Sequence, residues 1–251
     1  MRLLILGGTT EATALATLLA AGGRHEATFS LAGRTVAPRS QPLPTRIGGF
    51  GGVEGMVQWL KAEKTEAVVD ATHPYADQIS AHAVAACRQA GIPLASLVRL
   101  AWQCTPGDKW QDVASTEAAV QVLGPASRRV FVTVGRQELH LFAAAPQHRY
   151  VARLIEAPDK ELPPDLTLIK ARGPFDPVAE RTLMRDNGIE IVVSKNSGGD
   201  ATYAKIEAAR DLGLPVIMIA RPDKPAGHVV ASPEAALHWL DHDAPRSLRG
   251  V

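Results

Sequence analysis

The chain has 251 residues, of which 46% are hydrophobic and 21% are charged, and its formal net charge at pH 7 is +1. This composition is typical of a globular protein with room for one large or two small domains. The small net charge argues against a general nucleic-acid or membrane-surface binder, and two cysteines support neither a disulfide framework nor a multi-cysteine metal site. We expect a buried Cys87 and no bound metal. Neither a signal peptide nor a membrane-length apolar run is visible, so we expect a cytoplasmic protein.

Apolar runs alternate with helical periodicity, as in parallel sheets with crossover helices. The pattern predicts strands at 3–6, 25–31, 67–70, 92–98, 130–134, 150–155, 167–171, 189–194 and 215–220. It predicts helices at 11–21, 53–64, 75–90, 116–123, 177–187, 203–212 and 233–240. The aperiodic stretch 102–110 marks the connection between halves. The sequence thus predicts an α/β fold with domains 1–100 and 101–251, whose parallel sheets face a shared cleft.

The first strand ends in a glycine turn that passes directly into a helical pattern, Gly7-Gly8-Thr9-Thr10-Glu11-Ala12. Glycine lets the backbone approach a diphosphate, and the start of the following helix favours an anion. The spacing is not G-x-G-x-x-G, and many doubly wound proteins use glycine here only to turn. We interpret the turn as a dinucleotide site. The predicted contacts are Gly8, Thr9, Thr10 and Glu11.

The second strand ends with Gly33 and Arg34, at the position that commonly meets the adenosine ribose. An acidic residue there would bind a free 2′-hydroxyl, whereas an arginine suits a 2′-phosphate. Arg34 therefore indicates NADP rather than NAD. The alternative is a solvated surface arginine.

Two further strand-to-helix turns carry candidate ligand contacts. In the loop 48–52, Gly49 and Gly51 can approach a ligand through the main chain and Phe50 can stack on it, unless the loop is only a flexible connection. After the strand at 67–70 come Thr72 and His73, which Pro74 would place near the cap of the next helix. His73 suits acid-base chemistry, although a lone histidine at a cap is more often a structural hydrogen-bonding group.

Together these motifs resemble the precorrin-6A reductase family of cobalamin biosynthesis, and the resemblance extends from residue 3 to about residue 222. Later segments agree with it: Val134-Gly135-Arg136, Ser194-Lys195-Asn196-Ser197-Gly198-Gly199, Lys205-Ile206-Glu207-Ala208-Ala209-Arg210, Pro215-Val216 and Arg221-Pro222. The resemblance implies two Rossmann-like domains with the active site between them. It implies that NADPH reduces one carbon-carbon double bond of the precorrin-6A macrocycle, giving precorrin-6B. Neighbouring pathway enzymes would be possible partners.

A tetrapyrrole with acetate and propionate arms needs an apolar floor and scattered cations. The second half offers cations near its strand ends, namely Arg136, Arg153, Lys170, Arg172 and Lys195, and the turn beside Lys195 adds Ser197 and Gly198 as substrate contacts. Lys195 stands out because a strand delivers it beside a glycine-rich turn, which could hold a carboxylate or a phosphate. The alternative is an exposed lysine in an ordinary turn.

Hydride transfer mainly requires positioning, and a protonated ring nitrogen could activate the conjugated macrocycle without a strong protein acid. We therefore predict that no single side chain is an indispensable proton donor, with His73, Tyr75 and Lys195 as the residues to test. Three alternatives stay open at this point. They are an S-adenosylmethionine-dependent tetrapyrrole methyltransferase, a different NADP-dependent reductase, and a protein that binds its ligands without chemistry.

Overall fold

The computed structural model describes residues 1–33, 39–156, 161–225 and 227–244. The chain forms two compact units. The first contains Met1–Leu100 and the described part of Pro222–Val251, and the second contains Ala101–Arg221. The expected cofactor contact of Arg34 lies outside the described residues.

Strands and helices alternate along the chain, as the apolar periodicity predicts. The strands are β1 (Arg2–Leu6), β2 (Glu26–Leu31), β3 (Thr45–Ile47), β4 (Ala67–Asp70), β5 (Leu94–Leu97), β6 (Lys109–Val113), β7 (Arg129–Thr133), β8 (Arg149–Leu154), β9 (Leu166–Lys170), β10 (Ile191–Lys195), β11 (Pro215–Ile219) and β12 (His228–Val230). The α-helices are α1 (Thr10–Gly22), α2 (Gly52–Ala62), α3 (Asp77–Ala90), α4 (Thr116–Val122), α5 (Pro177–Asp186), α6 (Ala204–Asp211) and α7 (Pro233–His238). Short 3-10 helices occupy Leu139–Ala144 and Asp200–Thr202, and a π-helical turn, Trp239–Asp243, follows α7.

The first unit contains a parallel six-stranded sheet in the order β12-β5-β4-β1-β2-β3. Its first strand lies in the middle, so the order of strands reverses between β1 and β4. Ligands of such sheets bind outside the carboxyl ends of the strands at this reversal. The turns that follow β1 and β4 are therefore the candidate ligand edge of this unit.

The second unit contains a parallel six-stranded sheet in the order β6-β11-β10-β7-β8-β9. Its reversal lies between β7 and β10. Counted outward from the central strand, the first sheet has the strand order of Rossmann folds, and the second has it for five strands, with β6 at the remaining edge. The predicted α/β class with two Rossmann-like parallel sheets is confirmed.

The expected domain boundary does not hold for the C-terminal segment, which we assigned to the second half. β12 pairs with β5 of the first sheet, from His228 opposite Ala95 to Val230 opposite Leu97, and α7 packs against α1. In the second sheet the equivalent edge position is taken by β6. The chain therefore leaves the first unit before that unit's sixth strand is made and returns to complete it.

The sequence pattern does not predict β3, β6 or β12. All three are edge strands, and β3 and β12 have three residues each. β6 reads KWQDV and buries only its last residue, Val113. Edge strands need not be apolar, because each has a neighbouring strand on one side only and is less covered than a central strand. Short or polar edge strands therefore give no clear hydrophobic period.

Asp108 fixes the segment that precedes β6 onto α6. Its carboxylate accepts hydrogen bonds from Arg210 Nε (2.9 Å) and Nη2 (3.3 Å) and from Thr105 N (2.8 Å). The Asp108 side chain is 1% exposed. Burial acts to raise the pKa of Asp108, but the hydrogen bonds from Arg210 and Thr105 outweigh it and hold the pKa below its ordinary value.

A pKa lowered by folding stabilises the protein above the unfolded pKa, and the contribution is lost as the pH falls below about 4. We expect Asp108→Asn to lower the free energy of unfolding by about 2 kcal/mol at pH 7, because charged hydrogen bonds are lost. Once the pH falls below the lowered pKa of Asp108 in the folded protein, the carboxylate is protonated in both states and the difference between the variant and the wild type should shrink. Urea unfolding across this range measures both limits, and an equal loss at both ends would contradict the assignment.

Candidate functional site

Glycine shapes the turn after β1. A Cβ at Gly7 would overlap the buried ring of Phe29 on β2, so this position has no room for a side chain. Gly8 has a φ of 124°, a conformation that other residues rarely adopt. The chain then enters α1, where Thr9 is the N-cap and accepts a hydrogen bond from Ala12 N at 3.1 Å. The turn therefore lies at the positive end of a helix, where N–H groups have no partner inside the helix.

A hydrogen bond ties this turn to the turn after β4, since Thr9 Oγ1 donates to the carbonyl oxygen of Ala71 at 2.8 Å. The next residues of α1 face an arginine that the sequence analysis missed. Glu11 Oε2 accepts a hydrogen bond from Thr10 Oγ1 at 3.0 Å and pairs with Arg99 Nη1 at 2.9 Å. Arg99 lies just beyond the end of β5, which is the same signal that selected the arginine after β2.

Arg46 on β3 organises the glycine loop before α2. Its Nη1 donates hydrogen bonds to Ser30 Oγ (2.8 Å) and to the Gly48 carbonyl (3.0 Å), and its Nη2 donates to the Gly49 carbonyl (3.0 Å). The guanidinium carbon lies 3.8 Å from the centroid of the Phe50 ring. Burial lowers the pKa of Arg46 from its ordinary value. The sequence analysis missed this residue because β3 was not predicted.

The glycines of these turns have the conformational freedom that the sequence suggested. Gly33 and Gly51 have φ angles of 73° and 78°. The structure brings the candidates of β2 and of the loop before α2 to neighbouring strand ends, because β2 and β3 are paired in parallel. These candidates are Gly33, Gly49, Phe50 and Gly51, and their contact with a nucleotide stays a prediction.

The last residue of β4, Asp70, has a buried carboxylate. Asp70 is 1% exposed, and its Oδ1 accepts hydrogen bonds from the backbone N (3.1 Å) and the Oγ1 (2.6 Å) of Thr72. The Nζ of Lys224 lies 3.3 Å from Asp70 Oδ2 and 2.9 Å from Thr72 Oγ1. Ser80 Oγ on α3 lies 3.3 Å from the same threonine oxygen. Lys224 was not singled out from the sequence.

His73 and Tyr75 follow in a turn, with ring centroids 5.6 Å apart. His73 Nδ1 accepts a hydrogen bond from Tyr75 N at 3.3 Å. The expectation that the residues before Pro74 lie at the helix cap is wrong, since α3 begins at Asp77. Instead, Ala76 N donates to the His73 carbonyl at 2.8 Å. This closes a turn with proline at its second position, where the fixed φ of proline is favoured.

In the second sheet, Lys195 ends β10 at the reversal. It forms an ion pair with Glu138, and its side chain is 13% exposed. Glu138 Oε1 accepts a hydrogen bond from Thr116 Oγ1 at 3.1 Å. The ammonium group is therefore held at the strand end by a carboxylate that is itself fixed. The sequence analysis missed Glu138, which gives no motif signal of its own.

Three carbonyl groups of the loop after β10 accept hydrogen bonds from side chains. Arg221 donates from Nε to the Asn196 carbonyl (2.8 Å) and from Nη2 to the Ser197 carbonyl (3.0 Å). Trp102 Nε1 donates to the Gly199 carbonyl at 2.9 Å. In a trans peptide the N–H points in the direction opposite to the C=O. The N–H that follows each of these carbonyls therefore points away from the arginine or tryptophan that binds the carbonyl. The loop is therefore a rigid element at the carboxyl end of β10, and it includes the predicted contacts Ser197 and Gly198.

The three arginine candidates of the second half have different environments. Arg136 follows β7 and pairs with Glu156 at 3.4 Å, with about a third of its side chain exposed (32%). Arg172 is exposed after β9, as is Lys170 at the end of that strand. Arg153 is 8% exposed, forms a buried ion pair with Glu180, and lies 3.5 Å from the centroid of the Phe175 ring. Its burial argues against the expected role as a substrate contact, because the guanidinium group is enclosed inside the unit.

Within residues 1–33, 39–156, 161–225 and 227–244, no group of three or more His, Cys, Asp or Glu side chains is arranged to hold a metal ion. In the same described ranges, no helix has both the length and the apolar content needed to cross a bilayer.

Cys87 is 2% exposed, as predicted, and burial together with the charge of Asp70 raises the pKa of its thiol to about 12.

Residues 2–241 match the family model described as "Precorrin-6x reductase CbiJ/CobK". The chain belongs to the precorrin-6x reductase family. The precorrin-6A reductase of Rhodobacter capsulatus is 52% identical over 252 residues, covering 100% of this chain and 99% of the relative. That of Mycobacterium tuberculosis (strain H37Rv) is 44% identical, covering 95% and 97%. The cobalt-precorrin-6A reductase of Salmonella typhimurium is 30% identical, covering 87% of each chain.

A solved structure titled "CobK precorrin-6A reductase" superposes with a TM-score of 0.92 at 51% identity, and the match covers 100% of both chains. Membership of the precorrin-6x reductase family makes this chain an oxidoreductase. It also confirms the family resemblance of the sequence motifs. The two strand-order reversals described above are thus features of a precorrin-6x reductase.

Proposed function

We propose that this chain uses NADPH to reduce one carbon-carbon double bond of precorrin-6A, giving precorrin-6B in cobalamin biosynthesis. The observation that carries the proposal is the 52% identity to the Rhodobacter capsulatus precorrin-6A reductase along the whole chain. A reduction of this kind requires a hydride donor, and a nicotinamide supplies one when bound. Such a reaction fits the cytoplasm, where reduced nicotinamide is available.

The edge of the first sheet fits a dinucleotide. Gly8 adopts a glycine conformation and has no atom within 4 Å of an added Cβ, so the main chain is open to a close approach there. The 13-residue helix α1 begins immediately afterwards, capped by Thr9. A diphosphate placed at this turn would meet N–H groups and the positive end of the helix. The cofactor contacts we propose are Gly8, Thr9, Thr10, Glu11, Gly33, Arg34, Gly49, Phe50, Gly51, Thr72 and His73.

The second sheet is less suited to a dinucleotide. Its central strand β7 leads into the 3-10 helix Leu139–Ala144 rather than into an α-helix, and Gly135 is the one glycine of that turn. Its strand ends carry cations instead, as a ligand with several carboxylate arms requires. We assign the tetrapyrrole arms to Arg136, Arg172, Lys195, Ser197 and Gly198. Arg153 is left out because it is buried and paired.

In this reaction the residues of the chain bind the cofactor and the substrate and orient them. The glycine turns and the arginines of the first unit bind the nucleotide, and the cations of the second unit bind the substrate arms. A proton must also reach the carbon next to the reduced one. His73, Tyr75 and Lys195 are the candidate donors among the predicted site residues, and we propose that none of them is indispensable.

The identities favour a substrate without cobalt. Relatives named precorrin-6A reductase are 44% to 52% identical to this chain, whereas relatives named cobalt-precorrin-6A reductase are 27% to 30% identical. Turnover of both substrates by one enzyme preparation tests this preference. A higher kcat/KM for the cobalt complex would reverse it.

The cofactor is tested by titrating NADPH and NADH against the wild type and Arg34→Ala, and then adding precorrin-6A while nicotinamide absorbance is followed. We expect NADPH to bind more tightly than NADH, and the variant to lose about tenfold in NADPH affinity because an arginine contact with a phosphate is removed. NADH binding should change little. Oxidation of NADPH that depends on substrate supports the reaction, whereas binding without oxidation would point to a non-catalytic protein. If neither nucleotide binds, S-adenosylmethionine is the next ligand to test.

A further inference from the structure

Asp70 presents an electrostatic problem at the proposed nucleotide edge. It ends β4, next to the central strand β1, and its carboxylate is almost fully buried. A buried carboxylate is strongly unfavourable unless it is paired and hydrogen bonded. It would also repel a diphosphate placed at the turn after β1, because charges interact more strongly where water is excluded. An acidic group at this point is therefore unfavourable for binding an anionic cofactor.

Lys224 lies where it can both pair with the buried carboxylate of Asp70 and offset the repulsion of an anionic ligand. Its Nζ lies 3.3 Å from Asp70 Oδ2 and 2.9 Å from Thr72 Oγ1, and its side chain is 12% exposed. The ammonium group therefore faces the one carboxylate oxygen that Thr72 does not occupy.

We infer that Lys224 is a positioning residue for the cofactor, which neutralises Asp70 and so keeps the edge between β1 and β4 from repelling an anionic ligand. The inference rests on the proposed use of NADPH. It adds a residue that no motif indicated, since Lys224 is 152 positions from Thr72 in the sequence. Asp70 in turn holds Thr72 through its Oδ1, so the pair both shapes the turn and balances its charge.

The test is a double-mutant cycle of Lys224→Met, Asp70→Asn and the double variant, with the dissociation constant of NADPH as readout. We expect Lys224→Met to weaken NADPH binding about tenfold, because the carboxylate is left unpaired beside the phosphates. Asp70→Asn should weaken it less than threefold (a rough bound), and the double variant should return to within about threefold of the wild type. Lys61→Met, on the exposed surface of α2, makes the same change in net charge and should have no effect.

Ligand charge separates this role from simple support of the fold. The loss in Lys224→Met should be larger for NADPH than for NADH and absent for adenosine, and it should shrink as salt is raised. A loss of equal size for all three ligands would overturn the inference, as would a double variant no better than Lys224→Met alone. Should Lys224→Met fail to fold, Lys224→Arg, which keeps the charge, is compared with Lys224→Gln by the same titration. A wild type that binds no NADPH would instead refute the proposed cofactor.

Discussion

Lys195→Met is expected to raise the KM for precorrin-6A about 30-fold while kcat changes less than about fivefold. Lys195 stands at the carboxyl end of β10, beside a loop whose carbonyl groups are held by side-chain donors. Its ion pair with Glu138 keeps the ammonium group at this strand end. A group that binds a substrate carboxylate equally in the ground and transition states lowers KM without raising kcat. Steady-state kinetics with saturating NADPH measure the two effects separately.

The control for this prediction is Lys109→Met, at the opposite end of the same sheet, where the lysine donates to the Gly213 carbonyl at 2.9 Å. It removes the same charge and should leave KM and kcat unchanged. A fall in kcat by more than about a thousandfold, with substrate affinity retained in a binding assay, would contradict the prediction. Lys195 would then be the proton donor. The same kinetic separation applied to His73→Ala and Tyr75→Phe completes the test of the three candidate donors.

Local signals in the sequence were enough to locate the strand, turn and helix of the candidate ligand edge. An apolar run, a glycine turn and a helical period lie within a few residues, and β1, the turn and α1 stand where this pattern predicts them. Core strands were equally clear, because buried parallel strands are continuously apolar. The turn at Pro74 was misjudged, since proline suits both a helix start and the second position of a β-turn.

Residues whose role depends on distant partners could not be found in this way. Lys224 contacts Asp70, and Glu138 contacts Lys195, only after the chain has formed its sheets. Arg46 lies on an edge strand too short to show a period. The C-terminal segment was assigned to the wrong unit for the same reason, because the strand that completes the first sheet comes after the whole second unit. Strand order depends on which strands pair with each other, and no single segment of the sequence indicates it.

Gly7→Ala is expected to lower the free energy of unfolding by about 2 kcal/mol, because an added methyl group would overpack the interior. The Cβ would overlap the outer atoms of the Phe29 ring, which is fully buried and cannot move into solvent. The backbone of the turn must then shift. We expect the dissociation constant of NADPH to rise more than about tenfold, since a small displacement of the turn misplaces its N–H groups. Urea unfolding and NADPH titration measure the two effects.

A second substitution distinguishes this overlap from a general effect of alanine. Phe29→Leu removes the outer ring atoms, so in the Gly7→Ala background it should recover part of the lost stability and affinity, although by itself it leaves a cavity. Gly22→Ala, at the end of α1 with nothing near its added Cβ, should leave NADPH affinity unchanged and should not lower the free energy of unfolding, because alanine favours the helix. Strictly additive losses for Gly7→Ala and Phe29→Leu would show that the ring does not determine the residue at position 7. Non-additive recovery would mean that the packing of β2 against the end of β1 sets how closely the main chain can approach the cofactor.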